Sequence, residues 1–181
     1  MKHALVIGGT GMLSKVSRWL AANGYHVSVI GRNQEKMQRL LSTVERPSRM
    51  TSVLVDYTNN EELAKQLRQI QKLNGNIDLV VAWVHSTGKN VIPCLTSCMS
   101  DAEQWKLFHV NGSSANLVNI KMNMDVPKNV QYHQIQLGFI LENGNSRWLL
   151  HDEISNGVIQ AITEGEIKKI IGTIEPWDRR P

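Results

Sequence analysis

The sequence KHALVIGGTGMLS at residues 2–14 decides the fold. Residues 2–8 form a short apolar run that ends in glycine, which predicts a β-strand buried on both faces. Apolar side chains then recur at helical spacing over residues 12–23, and Asn23 with Gly24 predicts the end of that helix. The stretch therefore predicts a strand, a glycine loop and a helix in direct succession.

This strand–helix unit repeats as far as residue 90. Three further runs that are β-branched or strongly apolar predict strands at residues 25–30, 51–55 and 77–84. Helical patterns follow the first two of these runs, and Asn59 or Asn60 is the predicted N-terminal cap of the second helix. Strands that alternate with helices of this length predict an α/β fold. We expect a three-layer, doubly wound parallel sheet with helices on both faces.

The pattern is weaker beyond residue 90. It predicts strands at residues 106–110, 130–141 and 169–174, a helix at residues 151–163, and the end of another helix at residues 100–105. The sheet would then contain roughly six to seven strands. Because no linker, repeat or low-complexity segment interrupts the sequence, residues 1–181 are predicted to form a single domain.

Composition and charge argue against several classes of function. Of the 181 residues, 41% are hydrophobic and 20% charged, and no apolar stretch approaches the roughly 18 residues of a membrane span. The net charge of +4 comes from scattered Lys and Arg residues, so we expect no nucleic-acid partner. Cys94 and Cys98 lie four apart, which matches neither a redox nor a zinc motif, and we expect no metal site. The N-terminus does not resemble a signal sequence, which predicts a cytoplasmic protein.

The glycine loop has the spacing of a dinucleotide-binding fingerprint. Residues 9–14 fit the pattern G-x-G-x-x-small, directly after a strand and at the start of a helix. One glycine permits a tight turn, the next lets the backbone approach a pyrophosphate, and the helix N-terminus offers free N–H groups. A glycine-rich turn without a ligand is the alternative, but the repeated strand–helix units favour binding. The predicted cofactor contacts in the loop are Gly8, Gly9, Thr10, Gly11, Met12 and Leu13.

Residues after the second and third predicted strands indicate which dinucleotide binds. An NAD site usually has Asp or Glu about 20 residues after the glycine motif, whereas this chain has Gly31 and Arg32 there. A guanidinium suits the 2′-phosphate of NADP, so NADP(H) is the predicted cofactor and NAD(H) the less favoured one. A solvated arginine at a helix entry is the alternative. Asp56 either accepts a hydrogen bond from the adenine amino group or caps the following turn.

These features together resemble the short-chain dehydrogenase/reductase family, especially its extended and atypical members with a T-G-x-x-G-x-x-G loop. Residues 7–14 match that loop except at Ile7 and Ser14. Arg32 resembles the family's NADP-selecting arginine, and Asp56 lies where the family has an adenine-contacting aspartate. The resemblance implies a Rossmann fold, a dinucleotide cofactor, an oxidoreductase activity on a small-molecule substrate, and a homodimer or homotetramer.

The catalytic pattern of that family is incomplete in this chain. The family uses a serine and a Tyr-x-x-x-Lys pair. The residues four positions after the three tyrosines are Val29, Glu61 and Gln136. Leu117 occupies the position at which the resemblance requires the tyrosine, whereas Ser113 or Ser114 can stand for the serine. A standard family mechanism is therefore not expected.

Ligands of doubly wound sheets bind at the carboxyl ends of the strands, near the switch between the first and fourth strands. The residues that should face this site are His85, Ser86, Lys89, Ser113 and the region of Gly138. His85, Ser86 and Ser113 are the predicted catalytic residues, and Gly138 is a further predicted cofactor contact. His85 is the best substitute proton donor, because an imidazole with a pKa of about 6.5 titrates near neutrality. The alternative, which we favour, is a strand-end histidine bonded to backbone or phosphate. Tyr132 is interpreted first as a partly buried strand residue.

Two functions follow from these patterns. The first is an NADP(H)-dependent oxidoreductase for a small carbonyl or alkene substrate. The second is a non-catalytic NADP(H)-binding sensor or regulatory protein that lacks the Tyr-x-x-x-Lys machinery. The missing pair favours the second function, and hydride transfer to a substrate discriminates between the two.

Overall fold

The computed structural model describes residues 1–99 and 103–181. In these ranges the β-strands are β1 (His3–Ile7), β2 (His26–Gly31), β3 (Met50–Leu54), β4 (Ile77–Trp83), β5 (Trp105–Asn111), β6 (Val130–Leu137), β7 (Phe139–Glu142), β8 (Asn145–Trp148) and β9 (Lys168–Ile171). The α-helices are α1 (Ser14–Ala22), α2 (Gln34–Ser42), α3 (Asn60–Asn74), α4 (Val91–Cys98), α5 (Leu117–Met122) and α6 (His151–Glu164).

Seven of the strands form one parallel sheet in the order β3-β2-β1-β4-β5-β6-β9. The order reverses at β1, where Ile7 lies between Ile30 of β2 and Ala82 of β4. This reversal opens a crevice at the carboxyl ends of β1 and β4, where doubly wound sheets bind their ligands. The predicted three-layer α/β fold with six to seven strands is confirmed.

Two hydrophobic cores lie on opposite faces of the sheet. Ala4 and Val6 of β1 face the core that contains residues of α1, α2 and α6. Leu5 and Ile7 face the core that contains residues of α3 and α4. All five residues of β1 are buried, which confirms the two-sided burial predicted from its uninterrupted apolar run.

Asparagine side chains cap the N-termini of α2 and α3, the helices that follow β2 and β3. Asn33 accepts a hydrogen bond from the Lys36 backbone N–H at 2.8 Å, and Asn59 accepts one from the Glu62 backbone N–H at 3.2 Å. Asn59, not Asn60, is therefore the cap of α3. At the other end of α1, Gly24 has φ +91°, a left-handed conformation that glycine adopts without strain.

Two parts of the second half differ substantially from the sequence prediction. The range of helix α4 was not predicted, because the helix has only eight residues and Pro93 lies in its first turn. The strand predicted at residues 130–141 breaks at Gly138, and β7 pairs antiparallel with β8 around the left-handed turn residues Asn143 and Gly144.

The other differences are smaller. The last strand of the sheet ends at Ile171, three residues earlier than predicted. Of the helix end predicted at residues 100–105, residues 100–102 lie outside the described part, Glu103 and Gln104 are not helical, and Trp105 begins β5.

In the described residues, no helix is long and apolar enough to cross a membrane. The same ranges contain no cluster of three or more metal-ligating side chains.

Candidate cofactor and active site

The three glycines of the loop between β1 and α1 have different surroundings. Gly8 has φ +83°, and a side chain there would also approach Trp83 to 3.3 Å. A Cβ atom on Gly9 would lie 2.6 Å from Ser17 Oγ and 2.8 Å from Val29 Cγ1. A Cβ atom on Gly11 would meet only the Gly8 carbonyl oxygen, at 4.0 Å. Gly8 thus permits the turn, Gly9 permits close packing, and Gly11 leaves the loop surface open.

Hydrogen bonds hold the loop in one conformation. The Gly11 N–H donates to the Gly8 carbonyl at 3.3 Å, and the Ser14 N–H donates to the Gly11 carbonyl at 2.9 Å. From α6, the Ser155 hydroxyl donates to the Met12 carbonyl at 2.7 Å, a contact that joins the end of the chain to the loop. The N-terminus of α1 carries the positive end of the helix dipole, and the first turn of α1 has no acidic residue of its own. A preformed, electropositive loop suits a phosphate group.

Arg32 and Asp56 lie beside each other at the ends of β2 and β3. Arg32 Nη1 is 4.0 Å from Asp56 Oδ2, and 80% of the arginine side chain is exposed. Asp56 Oδ1 accepts hydrogen bonds from the Thr58 backbone N–H at 3.0 Å and the Thr58 hydroxyl at 2.7 Å. These bonds hold the pKa of Asp56 below its usual value. Asp56 therefore caps the turn that follows β3, and its second oxygen faces the arginine. The arginine side chain is free to reach a phosphate.

Trp83 ends β4, the strand between β1 and β5, and borders the crevice at the carboxyl ends of β1 and β4. Its ring lies near Gly8 on one side, and a Cβ on Gly112 would lie 3.9 Å from Trp83 Cη2 on the other. The His85 ring stands edge-on to the Trp83 ring with a centroid distance of 5.7 Å. The His85 backbone N–H donates to the Tyr57 hydroxyl at 3.3 Å. The His85 carbonyl accepts from the Gly88 N–H at 2.8 Å, so one aromatic contact and two backbone hydrogen bonds set the position of His85.

The predicted catalytic residues line two different cavities. His85 and Ser86, with Lys89, line a cavity of about 1080 Å³ between α4 and α5. Ser113 lines a second cavity of about 380 Å³, next to Gln136 of β6. The loop between β5 and α5 separates them, and the Gln136 side chain donates to the Ser113 carbonyl at 3.0 Å. The structure therefore brings His85 and Ser86 together and places Ser113 on the other side of that loop.

Gly138, a predicted cofactor contact, lies at the junction of β6 and β7. Its N–H donates to the Ile171 carbonyl at 2.9 Å. A Cβ atom there would lie 2.1 Å from the Thr173 carbonyl oxygen, so two backbone segments pass each other closely at this point. This close approach is sufficient to require glycine, and the cofactor role remains a prediction.

Helix α5 is short and does not carry a Tyr-x-x-x-Lys pair. It spans only Leu117–Met122, and Asn116 caps it by accepting from the Asn119 backbone N–H at 3.0 Å. Leu117 is buried, and its carbonyl accepts a hydrogen bond from the Gln134 side chain at 2.9 Å. The position at which the family resemblance requires a tyrosine thus supplies an apolar side chain.

Sequence reasoning missed a partly buried polar pair on β5 and β6. His109 Nδ1 lies 2.9 Å from the Tyr132 hydroxyl, and both side chains face the layer of α4 and α5. Burial lowers the pKa of His109 to about 4 and raises the pKa of Tyr132 to about 12. Tyr132 is a buried strand residue, as predicted. Its hydrogen-bond partner follows from the strand register, which sets Leu107 opposite Tyr132 and so places His109, two residues further along β5, on the same face of the sheet.

Comparison with known proteins identifies similar sequences and folds. The model of the short chain dehydrogenase family matches residues 2–123. Comparison with curated proteins found no match. A short-chain type dehydrogenase/reductase from Mycobacterium marinum is 16% identical, with a TM-score of 0.76 over 94% of this chain and 93% of that one.

Two further solved structures have the same fold. A betaketoacyl-ACP reductase from Bacteroides thetaiotaomicron is 14% identical, with a TM-score of 0.73 over 98% of this chain and 99% of that one. A metagenomic short-chain oxidoreductase in complex with NADP is also 14% identical, with a TM-score of 0.69 over 94% of this chain and 96% of that one. At these identities the likeness concerns the fold, and it extends beyond residue 123 to nearly the whole chain.

Proposed function

The chain belongs to the short-chain dehydrogenase family, and on that premise we propose that it binds NADP(H) and acts as an oxidoreductase on a small carbonyl or alkene compound. The observation that carries the proposal is the open surface at Gly11 in a loop that is otherwise closely packed. Such an opening, next to the N-terminus of α1, lets a pyrophosphate approach the backbone.

The residues of the chain fit this cofactor. The loop from Gly8 to Leu13 would hold the pyrophosphate through backbone N–H groups. Arg32 would bind the 2′-phosphate, because among the described residues its exposed guanidinium has only a 4.0 Å contact with Asp56 and can form charge-assisted hydrogen bonds. NAD(H), which lacks that phosphate, would bind more weakly. A solved relative of the same fold is described in complex with NADP.

The proposed reaction needs a proton from the protein. NADPH supplies the hydride when it is bound, and the chain must then hold the substrate and provide one proton. His85 and Ser86 are the proposed groups, because they line the large cavity at the carboxyl end of β4. Ser113 could act only from the opposite side of the loop between β5 and α5.

A second function is favoured by one specific observation, the short α5 with Leu117 in place of a tyrosine. On this alternative the protein binds NADP(H) as a sensor or regulatory protein and transfers no hydride. A cytoplasmic location and a homodimer or homotetramer are further expectations that accompany either function.

Two measurements test these proposals, the first for the cofactor contact and the second for the choice between the two functions. First, NADPH and NADH are titrated against the wild type and the Arg32→Ala variant, with Trp fluorescence as the readout. Loss of the 2′-phosphate contact should weaken NADPH binding at least about tenfold and change NADH binding little. Equal losses for both cofactors would show that Arg32 does not bind the 2′-phosphate.

Second, NADPH absorbance is followed while a broad panel of carbonyl and alkene compounds is added. Substrate-dependent loss of absorbance supports the oxidoreductase and eliminates the sensor. Tight NADPH binding without oxidation across the panel, together with a protein partner that depends on NADPH, contradicts the oxidoreductase.

A further inference from the structure

The cavity between α4 and α5, which His85 and Ser86 also line, has mostly apolar walls that no part of the proposed cofactor site uses. Ile92 and Pro93 of α4 line one side, and Ile120 of α5 with Met124 lines the other. Its volume of about 1080 Å³ exceeds what most small ligands require. Helix α5, which forms one of these walls, has only six residues.

The floor of this cavity is polar. His109 of β5 lines it, and the Nδ1 atom of that ring is 2.9 Å from the Tyr132 hydroxyl. Neighbouring Asn111 is already committed, because its amide donates to the His109 carbonyl at 2.8 Å. For His109 Nε2, the described part of the chain offers no hydrogen-bond partner. The second nitrogen of a largely buried imidazole is therefore available to a ligand.

We propose that this cavity binds an apolar carbonyl compound, whose body packs between α4 and α5 and whose oxygen accepts a hydrogen bond from His109 Nε2. When the Tyr132 hydroxyl donates to Nδ1, the ring proton is on Nε2, which makes that atom a donor toward the cavity. Burial keeps the imidazole neutral near pH 7 and thereby preserves this arrangement. The choice of a carbonyl rests on the proposed oxidoreductase function, whereas the cavity and the available nitrogen do not.

The test uses the fluorescent naphthyl ketone prodan, whose emission shifts to shorter wavelength in apolar surroundings. The wild type should bind it saturably with such a shift. Ile120→Trp fills the cavity from α5 and should weaken binding at least about tenfold. The matched control is Met122→Trp on the same helix, since Met122 is 78% exposed and does not line the cavity. This variant should bind within about twofold of the wild type.

Two variants test the donor itself. His109→Leu removes it and should weaken binding by about three- to tenfold, the value of one neutral hydrogen bond. His109→Gln retains an N–H donor and should recover most of the loss. If His109→Leu does not fold, the comparison of Ile120→Trp with Met122→Trp decides the matter. Equal binding by these two Trp variants, or no saturable binding by the wild type, overturns the inference.

Failure of this inference is distinguishable from failure of the proposed function. Gly11→Leu alters the glycine loop and should leave prodan binding unchanged, because Gly11 does not line the cavity. A protein that binds NADPH but not prodan contradicts only the cavity ligand. One that binds prodan but not NADPH contradicts only the cofactor site.

Discussion

The clearest prediction concerns Gly9 and Gly11, which lie two residues apart but have opposite surroundings. An alanine Cβ at position 9 would lie 2.6 Å from Ser17 Oγ, 2.8 Å from Val29 Cγ1 and 2.9 Å from Val6 Cγ1. These neighbours are buried between the sheet and α1, so the side chains cannot move away freely. We expect Gly9→Ala to lower the free energy of unfolding by about 1–3 kcal/mol, the typical cost of overpacking.

Gly11→Leu should behave in the opposite way. Its Cβ has no neighbour closer than the Gly8 carbonyl oxygen at 4.0 Å, and Gly11 has no positive φ. The free energy of unfolding should therefore change by no more than about 0.5 kcal/mol. The leucine side chain would instead occupy the surface that the pyrophosphate approaches, so both NADPH and NADH binding should fall at least about tenfold.

Urea unfolding followed by circular dichroism gives the stability of each variant, and Trp fluorescence titration gives cofactor affinity. Gly9→Ala separates the effect of lost packing from that of a blocked surface, because only Gly11→Leu should lose cofactor affinity without losing stability. The reasoning is refuted if Gly11→Leu binds NADPH as the wild type does. It is equally refuted if the two substitutions destabilise the fold to the same extent.

Two further predictions concern pH. The pKa of His109 is about 6.5 in the unfolded chain and about 4 in the folded protein, so the unfolded chain binds more protons between pH 4 and 6.5. The free energy of unfolding should therefore decrease by up to about 3 kcal/mol as pH falls through this window. His109→Gln should remove that part of the decrease in urea unfolding at pH values on both sides of the window, and an unchanged pH dependence would contradict it. Arg147 donates two hydrogen bonds of 2.9 Å to Glu153 and lowers the pKa of Glu153 to about 2. The stabilisation by this pair is therefore fully present above the pKa of glutamate in the unfolded chain, and it is lost as pH falls toward 2. Arg147→Ala should return the Glu153 pKa toward its ordinary value in an NMR titration, whereas Arg147→Lys should preserve part of the shift.

Local sequence patterns were sufficient to predict the first half of the fold. The uninterrupted apolar run of β1 indicates a strand that is buried on both faces of the sheet. The loop glycines indicate a turn, and Gly8 has the positive φ that other residues rarely adopt. Asn59 caps α3 by accepting a hydrogen bond from a residue only three positions later, so the start of this helix can be predicted from the local sequence. These signals are local, and they predict elements whose ends differ from the structure by one or two residues.

The parts that were missed depend on contacts between distant residues. Helix α4 buries Val91, Ile92 and Leu95, but its eight residues are too few for a clear helical period and Pro93 lies in its first turn. The pairing of His109 with Tyr132 depends on the register of β5 against β6, which the sequence does not specify. The separation of Ser113 from His85 depends on the path of one loop. Because His85 and Ser113 follow the ends of strands, the sequence correctly placed both at the carboxyl edge of the sheet. It did not predict that the loop between β5 and α5 lies between them.

The most direct test of the account is an amide NMR titration of the wild type with NADP⁺, because it locates the cofactor on the chain. The account predicts that the largest shifts occur at the loop from Gly8 to Leu13 and at Arg32 and Asp56, with smaller shifts at the loop when NAD⁺ is used. Shifts confined to other surfaces, or no shifts at saturating NADP⁺, would contradict the assignment of the glycine loop as the dinucleotide site.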